Sequence, residues 1–384
     1  MNTLSPLLAT GQPVEWWFVF KFNGATFPSK ESQEPTPTLF GGSPIDYHGG
    51  LSLSYACANS ASASLKMGTG YIGTSLKDPV AATFNQVYNG SCNYIIWNDQ
   101  FNGNPLQSLD SPWGHSKGVL AWDDTGAGFV MQVSTPSWPA SGSIHHPRKG
   151  DGNTLGCVKD DDSLLSQHFF ALKLTPADVD VVLQGLVNAY VATKPGNSQI
   201  VNVTGPANLK TLAANLGKDP KSTKVIKQSL SSGITFISKP SALHVPPWQL
   251  VSAQLGSLPL RVASFWADPI INSTTASTPI NCWQPTLGKP GAVQTAISGT
   301  WDGKSIGLKG GADNQSNHAK IAVSESSSPI CIFGDLNQQG TLGGNGASCD
   351  SSQNGRGGTF YVLHNPTLFQ GLTSLLKGNS APVQ

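Results

Sequence analysis

Two short segments of the chain share a pattern that strongly limits how it can fold. In His115-Ser116-Lys117 and in His318-Ala319-Lys320, a histidine and a lysine are separated by one residue and followed by an apolar run. Such a run predicts a β-strand, and residues i and i+2 of a strand project from the same face. Each segment is therefore expected to present an imidazole beside an ammonium. Two such pairs facing each other would form a pocket suited to holding a phosphodiester.

The surroundings of the two segments repeat one order of elements: buried strand, His-x-Lys strand, turn, strand, polar loop and a helix that begins at proline. His115 and Ser134 are 19 positions apart, as are His318 and Asn337. The sequence therefore predicts an α+β fold, an α-β-α sandwich of two pseudo-symmetric halves, each with a central mixed β-sheet flanked by helices. A Pro- and Gly-containing stretch at 194–198 places the boundary between residues 1–195 and residues 196–384.

Local signals support particular elements of this prediction. The aromatic and β-branched run 14–22 predicts a buried central strand. Thr175 as N-cap, Pro176 at the first helical position and Asp178 as the partner in a capping box predict the start of a helix. Only 12% of the residues are charged, and 42 glycines and 27 prolines favour strands and long loops over a helical bundle.

The charge balance leaves the nature of the partner open. The formal charge is +1 at neutral pH, so it neither indicates nor excludes a polyanion. Protonation of all 8 histidines would raise it to about +9, which would favour phosphate binding in acid.

The six cysteines show no C-x-x-C pair and no spacing typical of zinc. They predict either up to three disulfides, formed in an oxidising compartment, or buried reduced thiols. Cys331 and Cys349 flank a Gly-rich stretch and are the expected disulfide pair. No apolar run reaches 18 residues, so no transmembrane helix and no membrane partner are predicted. The expected location is secreted or periplasmic, although no signal peptide is visible at Met1.

The motifs as a set resemble those of one nuclease family. They are Glu15-Trp16-Trp17-Phe18-Val19, Gly114-His115-Ser116-Lys117-Gly118-Val119-Leu120, Ser134-Thr135-Pro136-Ser137-Trp138-Pro139, Asn317-His318-Ala319-Lys320, Gly334-Asp335-Leu336-Asn337 and Gly355-Arg356-Gly357-Gly358-Thr359. On these residues the chain is identified as a bacterial-type member of the deoxyribonuclease II family, which has a phospholipase D-like fold. The resemblance implies a duplicated fold of that kind. It also implies an acid-active, metal-independent endonuclease without a cofactor, which cuts double-stranded DNA to leave 3′-phosphate ends.

The chain departs at three positions from the motif patterns of the family and of its wider superfamily. The wider superfamily usually places Asp seven residues after the motif histidine, where this chain has Trp122 and Glu325, with Asp123 one residue late. Animal members of the family carry a histidine just before the Ser-Thr-Pro segment, where this chain has Val133. The carboxylate that would orient a motif histidine is therefore unassigned.

A phosphodiester displacement needs a nucleophile, a proton donor for the leaving oxygen and charge stabilisation. In the two-histidine interpretation, one neutral imidazole attacks phosphorus to form a phosphohistidine, and the other, as imidazolium, protonates the 5′-oxygen. Family analogy assigns the nucleophile to His115 and the acid to His318, while the symmetry leaves the reverse open. Lys117 and Lys320 would hold the non-bridging oxygens. The further candidate substrate-binding residues, for each of which a purely structural role is the alternative, are Ser134, Asp335, Asn337 and Lys21.

Two other functions remain open from the sequence. A phospholipase D-like phosphodiesterase could act on a phospholipid or another substrate in place of DNA, and a non-catalytic binding protein, such as a toxin-like or carbohydrate-binding module, could recognise its partner through aromatic loops. The resemblance also implies a homodimer that forms a clamp around DNA, an arrangement that the residues themselves leave open.

Overall fold

The computed structural model describes residues 4–28, 52–100, 109–136, 138–139, 142–146, 163–344 and 346–384. The predicted α+β class is confirmed within these ranges. None of the helices found there is long and apolar enough to cross a membrane. The helices are α1 (Pro79–Tyr88), α2 (Pro176–Asn188), α3 (Ala207–Ala213), α4 (Pro247–Gln254) and α5 (Pro366–Leu375). The strands are β1 (Trp16–Lys21), β2 (Tyr55–Asn59), β3 (Ser62–Met67), β4 (Asn93–Asn98), β5 (Lys117–Trp122), β6 (Gly128–Val133), β7 (Gln167–Leu174), β8 (Val201–Asn202), β9 (Ile226–Ser229), β10 (Thr235–Lys239), β11 (Leu260–Ala263), β12 (Val293–Thr295), β13 (Ser298–Trp301), β14 (Lys304–Gly307), β15 (Ile321–Ser324), β16 (Ile330–Gly334) and β17 (Gly358–His364).

The strands form two large sheets and one hairpin. The first sheet has the order β3-β2-β1-β7-β6-β5-β4-β8, and the second has the order β12-β11-β15-β16-β17-β10-β9. The five inner strands β4-β5-β6-β7-β1 of the first sheet have the same chain-relative order as β11-β15-β16-β17-β10 of the second, whereas the edge strands differ. All neighbours in the first sheet are antiparallel. The second sheet alone is mixed, because β11 and β12 are parallel. The prediction of mixed sheets was therefore wrong for the first half.

The local signals read from the sequence form the expected elements. β1 is buried along its whole length, as its aromatic run on both faces requires. Helix α2 begins as predicted, with Thr175 as N-cap, Pro176 inside the first turn and a reciprocal capping box between Thr175 and Asp178. Asn365 caps α5 by accepting a hydrogen bond from the N–H of Leu368. The Pro-started helix therefore follows β7 in the first half and β17 in the second.

An aromatic core joins the two sheets face to face. The ring of Phe333 stacks between Phe18, at 4.7 Å between centroids, and Phe170, at 4.4 Å. Helices α2 and α5 bury their apolar residues in this same central core. Helix α1 covers the outer face of the first sheet, and α4 covers the outer face of the second. Because one continuous core joins both halves, they pack against each other over the central layer.

The predicted boundary at residue 195 falls inside the part of the chain that completes the first sheet. The Pro- and Gly-containing stretch at 194–198 is a turn that leads into β8, which pairs with β4 at the edge of that sheet. The second sheet begins only with β9. The change from one sheet to the other therefore lies between Asn202 and Ile226.

The disulfide joins Cys282 to Cys349, so the predicted pair of Cys331 and Cys349 was wrong. Cys331 lies in β16 and points into the central core, where it is fully buried and unpaired. Cys349 belongs to the Gly-rich stretch, which packs against the segment around Cys282 through a hydrogen bond from the N–H of Cys282 to the carbonyl of Leu342, at 3.0 Å. Cys157 lies outside the described residues.

Candidate active site

The two His-x-Lys segments lie at the entrances to β5 and β15. Lys117 is the first residue of β5, and the other residues of both segments precede the strands. Each segment is anchored on the opposite half. The N–H of His115 donates to the carbonyl of Gly357 at 2.8 Å, and the N–H of His318 donates to the carbonyl of Ser166 at 2.7 Å. Gly357 and Ser166 occupy equivalent places, each immediately before the strand that precedes α5 or α2. These reciprocal bonds bring both segments to the junction of the halves.

His115 is held by the main chain of Asp335. Its Nδ1 lies 2.9 Å from the Asp335 carbonyl oxygen, and the residue is 6% exposed. A carbonyl can only accept, so this contact assigns the proton of the neutral ring to Nδ1 and leaves the lone pair on Nε2. Burial, followed by the charge of Lys117, holds the pKa of His115 well below the usual value. The ring is therefore a neutral imidazole whose available lone pair is on Nε2.

His318 has a different environment. Its ring packs edge-on against Phe265, with 4.6 Å between centroids, and its buried Nδ1 has no hydrogen-bond partner among the described residues. Burial, followed by the charges of Lys320, Lys117 and His115, holds its pKa well below the usual value. The ammonium of Lys117 in the first segment thus contributes to the lowered pKa of the histidine in the second segment.

Lys117 forms a buried ion pair that the sequence interpretation missed. Its Nζ lies 2.7 Å from Oδ1 of Asp99, and Oδ2 of Asp99 lies 2.8 Å from Nη2 of Arg356. Burial alone would raise the pKa of Asp99, but the charges of Lys117, His115 and Arg356 outweigh it and hold that pKa below the usual value. The available signal was the position of Asp99, a carboxylate directly after the fully buried strand β4.

The carboxyl group of Asp335 is also buried in this region. Its Oδ2 accepts hydrogen bonds from the Ser116 hydroxyl at 2.7 Å, the Thr359 hydroxyl at 2.7 Å and the Thr359 N–H at 2.8 Å. Its Oδ1 is buried without a partner in the described part of the chain. Burial raises the pKa of this carboxyl to about 6, even though its hydrogen bonds act in the opposite direction. Asp335 thus touches His115 through its carbonyl rather than through its carboxylate.

The pairing of the strands shows that Ser134 and Asn337 do not occupy equivalent positions in the two halves. In the first sheet Gly118 pairs with Gln132, so Lys117 lies opposite Val133. In the second half the carbonyl of Lys320 accepts a hydrogen bond from the N–H of Gly334 at 2.9 Å, so Lys320 lies opposite Gly334. The residue equivalent to Ser134 is therefore Asp335, 17 positions after His318. The equal spacing of 19 residues from each motif histidine did not mark equivalent positions, because the second hairpin is two residues shorter than the first.

Contacts around the two polar side chains favour structural roles for both. The Ser134 hydroxyl donates to Oε1 of Gln167 at 2.6 Å and accepts the N–H of His168 at 2.8 Å. The Asn337 amide donates to Oε1 of Gln339 at 2.7 Å, while its buried Oδ1 has no partner among the described residues. Phosphate binding by Ser134 and Asn337 remains a prediction.

Lys21 is fully buried at the end of β1, where its ammonium holds main-chain carbonyls. Its Nζ donates to the carbonyls of Ser52 at 2.8 Å, Phe22 at 3.1 Å and Ser163 at 3.3 Å. Its charge also contributes to the lowered pKa of His318. These contacts indicate that Lys21 fixes the backbone around the site, and its contact with substrate remains a prediction.

His168 is a second residue that the sequence interpretation missed. It is fully buried in β7, and its Nδ1 accepts the N–H of Lys320 at 3.1 Å. The proton of the ring is then on Nε2, which faces Oε1 of Gln132 at 3.4 Å. Burial, followed by the charge of Lys320, holds the pKa of His168 well below the usual value. No motif marked this residue, because its contact with the second segment crosses between the halves.

We expect His168→Gln to reduce the loss of stability on acidification. An unfolded chain protonates its histidines near pH ~6.5, whereas the folded protein keeps His168 neutral, so the free energy of unfolding falls as the pH drops below that value, by up to ~1.4 kcal/mol per pH unit. Urea unfolding at about pH 7 and about pH 5 measures this slope. Asp335 has the opposite effect on the free energy of unfolding, because its raised pKa stabilises the folded state as the pH falls. Comparison of the variant with the wild type removes that contribution, and equal slopes would contradict the prediction.

The site as a whole is cationic. Lys117, Lys320 and Arg356 bring three fixed positive charges to one buried region, and Asp99 is the carboxylate whose pKa is lowered there. Within the described ranges, no group of three or more His, Cys, Asp or Glu side chains is arranged to hold a metal ion. The surplus positive charge fits a singly charged anion such as a phosphodiester.

Sequence comparisons relate the chain to known nucleases. The family model described as Deoxyribonuclease II matches residues 5–378. The chain is 26% identical to Cell-death-related nuclease 7 of Caenorhabditis elegans over 311 residues, which cover 78% of this chain and 73% of that protein. It is 28% identical to Deoxyribonuclease-2-alpha of Mus musculus over 218 residues, which cover 50% of this chain and 55% of that protein. A match at 31% identity to Plancitoxin-1 of Acanthaster planci covers 38% of each chain. With a match across nearly its whole length, the chain belongs to the deoxyribonuclease II family of DNA-hydrolysing nucleases.

Proposed function

We propose that this protein is an acid, metal-independent endonuclease that cuts double-stranded DNA through a phosphohistidine and leaves 3′-phosphate ends. The observation that carries the proposal is the crossed anchoring of the two histidine segments, in which the N–H of His115 bonds to Gly357 and the N–H of His318 bonds to Ser166 at the junction of the halves. The different hydrogen bonding of the two rings supports different roles for them. His115 has a fixed Nδ1–H, whereas Nδ1 of His318 has no partner among the described residues.

In the first step, Nε2 of His115 attacks the phosphorus in line with the P–O5′ bond. The N–P bond forms as the P–O5′ bond breaks, and the His318 imidazolium gives its proton to the departing 5′-oxygen. The Asp335 carbonyl supports the attack, because it stabilises the positive charge that develops on the His115 ring. Lys117 and Lys320 stabilise the negative charge on the non-bridging oxygens.

In the second step, the now neutral His318 takes a proton from water. The water oxygen attacks phosphorus, the N–P bond breaks and His115 regains its lone pair. The phosphoryl group stays on the 3′-oxygen throughout. The products are therefore a 3′-phosphate and a 5′-hydroxyl.

The low pKa of His318 supplies a physical reason for acid activity. The general acid must be protonated in the first step, but burial and the charges around it disfavour the imidazolium near neutral pH. A bound phosphodiester brings a negative charge that opposes these effects and favours protonation. The rate is therefore expected to be highest on the acid side of neutrality.

We expect the protein to nick supercoiled plasmid DNA in the presence of EDTA, faster at about pH 5 than at about pH 7.5. Gel analysis of plasmid forms across this range measures the rate. The nicked ends should block extension by DNA polymerase until a phosphatase removes the 3′-phosphate. A requirement for added Mg²⁺, or direct extension of the nicks, would contradict the proposed mechanism.

The same assay separates the alternative functions. Hydrolysis of phosphatidylcholine vesicles without plasmid nicking would support a phosphodiesterase with a different substrate. Binding of plasmid without cleavage at any pH would support a non-catalytic protein. DNA remains the proposed substrate because the matching family is Deoxyribonuclease II.

Three further proposals concern the fold, the assembly and the location. The matching order of the five inner strands of the two sheets supports a duplicated phospholipase D-like fold. A homodimer that encloses the duplex is proposed from the resemblance, and light scattering after gel filtration measures it. The disulfide between Cys282 and Cys349 supports an oxidising compartment, secreted or periplasmic.

A further inference from the structure

Asp99 connects the two halves of the protein at the proposed site. It is fully buried after β4, with one carboxylate oxygen 2.7 Å from Nζ of Lys117 and the other 2.8 Å from Nη2 of Arg356. Lys117 belongs to the first sheet, whereas Arg356 lies just before β17 in the second. One carboxylate therefore joins a proposed phosphate-binding lysine to an arginine of the opposite half.

Arg356 also holds the chain that leads to His115. Its Nε donates to the carbonyl of Trp113 at 2.8 Å, and its Nη2 donates to the carbonyls of Leu109 at 2.8 Å and Gly114 at 3.4 Å. Its neighbour Gly357 accepts the N–H of His115. A single arginine thus holds the His115 segment through the main chain and Lys117 through Asp99.

The register position of Asp99 is occupied by an apolar residue in the second half. Asn98 pairs with Lys117 across the first sheet, and Ala263 pairs with Ile321 across the second. By this register the position equivalent to Asp99 is Phe265, whose ring packs against His318. The strand order that the two sheets share therefore does not by itself require a carboxylate at this position.

The charges require Asp99 to remain ionised. Lys117 and Arg356 are both nearly fully buried, and a buried cation is costly unless an anion compensates it. Asp99 supplies one negative charge between the two, and it leaves two of the three ammonium hydrogens of Lys117 for other acceptors. Such a clamp directs the lysine and restricts its motion.

We propose that Asp99 is a positioning residue, whose carboxylate fixes the Lys117 ammonium for the phosphodiester and whose bond to Arg356 couples that position to the opposite half. The inference rests on the proposed function. Asp99 acts through Lys117 and does not itself touch the substrate.

A double-mutant cycle with plasmid DNA tests the inference. We expect Asp99→Asn to lower kcat about a hundredfold with a much smaller change in KM, because a fixed electrostatic donor acts mainly on the transition state. In a Lys117→Met background, the same change should alter kcat by no more than about twofold, since the residue through which Asp99 acts is gone. Single-turnover assays with excess enzyme measure these rates. Glu15→Gln removes a carboxylate from the exposed Lys173–Glu15 ion pair, and this matched control should keep wild-type activity.

The pH profile provides a readout that a purely structural role would not change. The charges that act on His115 come from Lys117, Asp99, Arg356 and Lys320; His318 shares the site, and the Asp335 carbonyl contacts the ring. Asp99 is the group among them that raises the pKa of His115. Its neutralisation should therefore move the acid limb of kcat/KM to lower pH.

The outcomes are distinct. Failure of the wild-type protein to cut DNA would contradict the proposed function. Wild-type cleavage together with normal kcat in Asp99→Asn, or with equal losses in both backgrounds, would overturn the role of Asp99 alone. If Asp99→Asn does not fold, Arg356→Lys replaces it in the same cycle. That variant keeps a cation near Asp99 but loses the planar set of donors that holds it.

Discussion

His115→Ala should lower kcat for plasmid cleavage by about 10⁴-fold or more, because it removes the atom that bonds to phosphorus. The loss should be the same for an activated substrate, thymidine 3′-(p-nitrophenyl phosphate), since a better leaving group cannot replace a missing nucleophile. Release of p-nitrophenol, followed by absorbance, measures this reaction. No covalent adduct should form in this variant.

The controls for this prediction come from the same chain. His364 lies at the opposite end of β17 from the site and is exposed. His364→Ala should therefore keep wild-type cleavage. The wild-type adduct can be trapped in alkali, where phosphohistidine survives, and located by peptide mass spectrometry. An adduct on His318, or substantial cleavage by His115→Ala, would reverse or dismiss the assigned roles.

His318→Ala is expected to show a different defect. Plasmid cleavage should again fall by about 10⁴-fold, because the 5′-alkoxide is a poor leaving group without a proton donor. With the p-nitrophenyl ester, however, the first step needs no acid, so the variant should release close to one equivalent of p-nitrophenol per site. The second step should then stall, since no base activates the water. The phosphohistidine on His115 should accumulate.

A burst of this kind distinguishes the two histidines where the loss of plasmid cleavage cannot. If both alanine variants fail to produce a burst, both rings are needed for the first step even with a good leaving group. If only His115→Ala produces one, the roles are reversed. Circular dichroism of both variants should show the wild-type secondary structure, so that the loss of cleavage reports the loss of the imidazole and not of the fold.

The sequence was most informative where the signal was local. The capping box of Thr175 and Asp178 and the buried strand β1 formed as predicted. Two histidine–lysine pairs with similar flanks also predicted that the two segments meet, and the main-chain bonds of His115 and His318 bring both segments to the junction of the halves. These features depend on residues within a few positions of one another, so a single sequence contains the information.

The errors and omissions share a different cause. Asp99, Arg356 and His168 act on the site across the junction between the halves, at separations that no periodicity reports. The equivalence of Ser134 and Asn337 failed because spacing along the chain ignores the length of a hairpin turn. The wrong disulfide followed from reading the Gly-rich stretch as a closed loop, whereas it packs on the segment around Cys282.

The crossed main-chain bonds of His115 and His318 bear on how such a molecule can evolve. Each histidine depends on a carbonyl that the other repeat provides, at Gly357 and at Ser166. Under the proposed duplication, a single repeat would lack that acceptor and would need a second copy to supply it, so two copies would have to pair before they were fused. After fusion, each half could change its own histidine side chain but would have to keep the carbonyl that anchors the histidine of the other half.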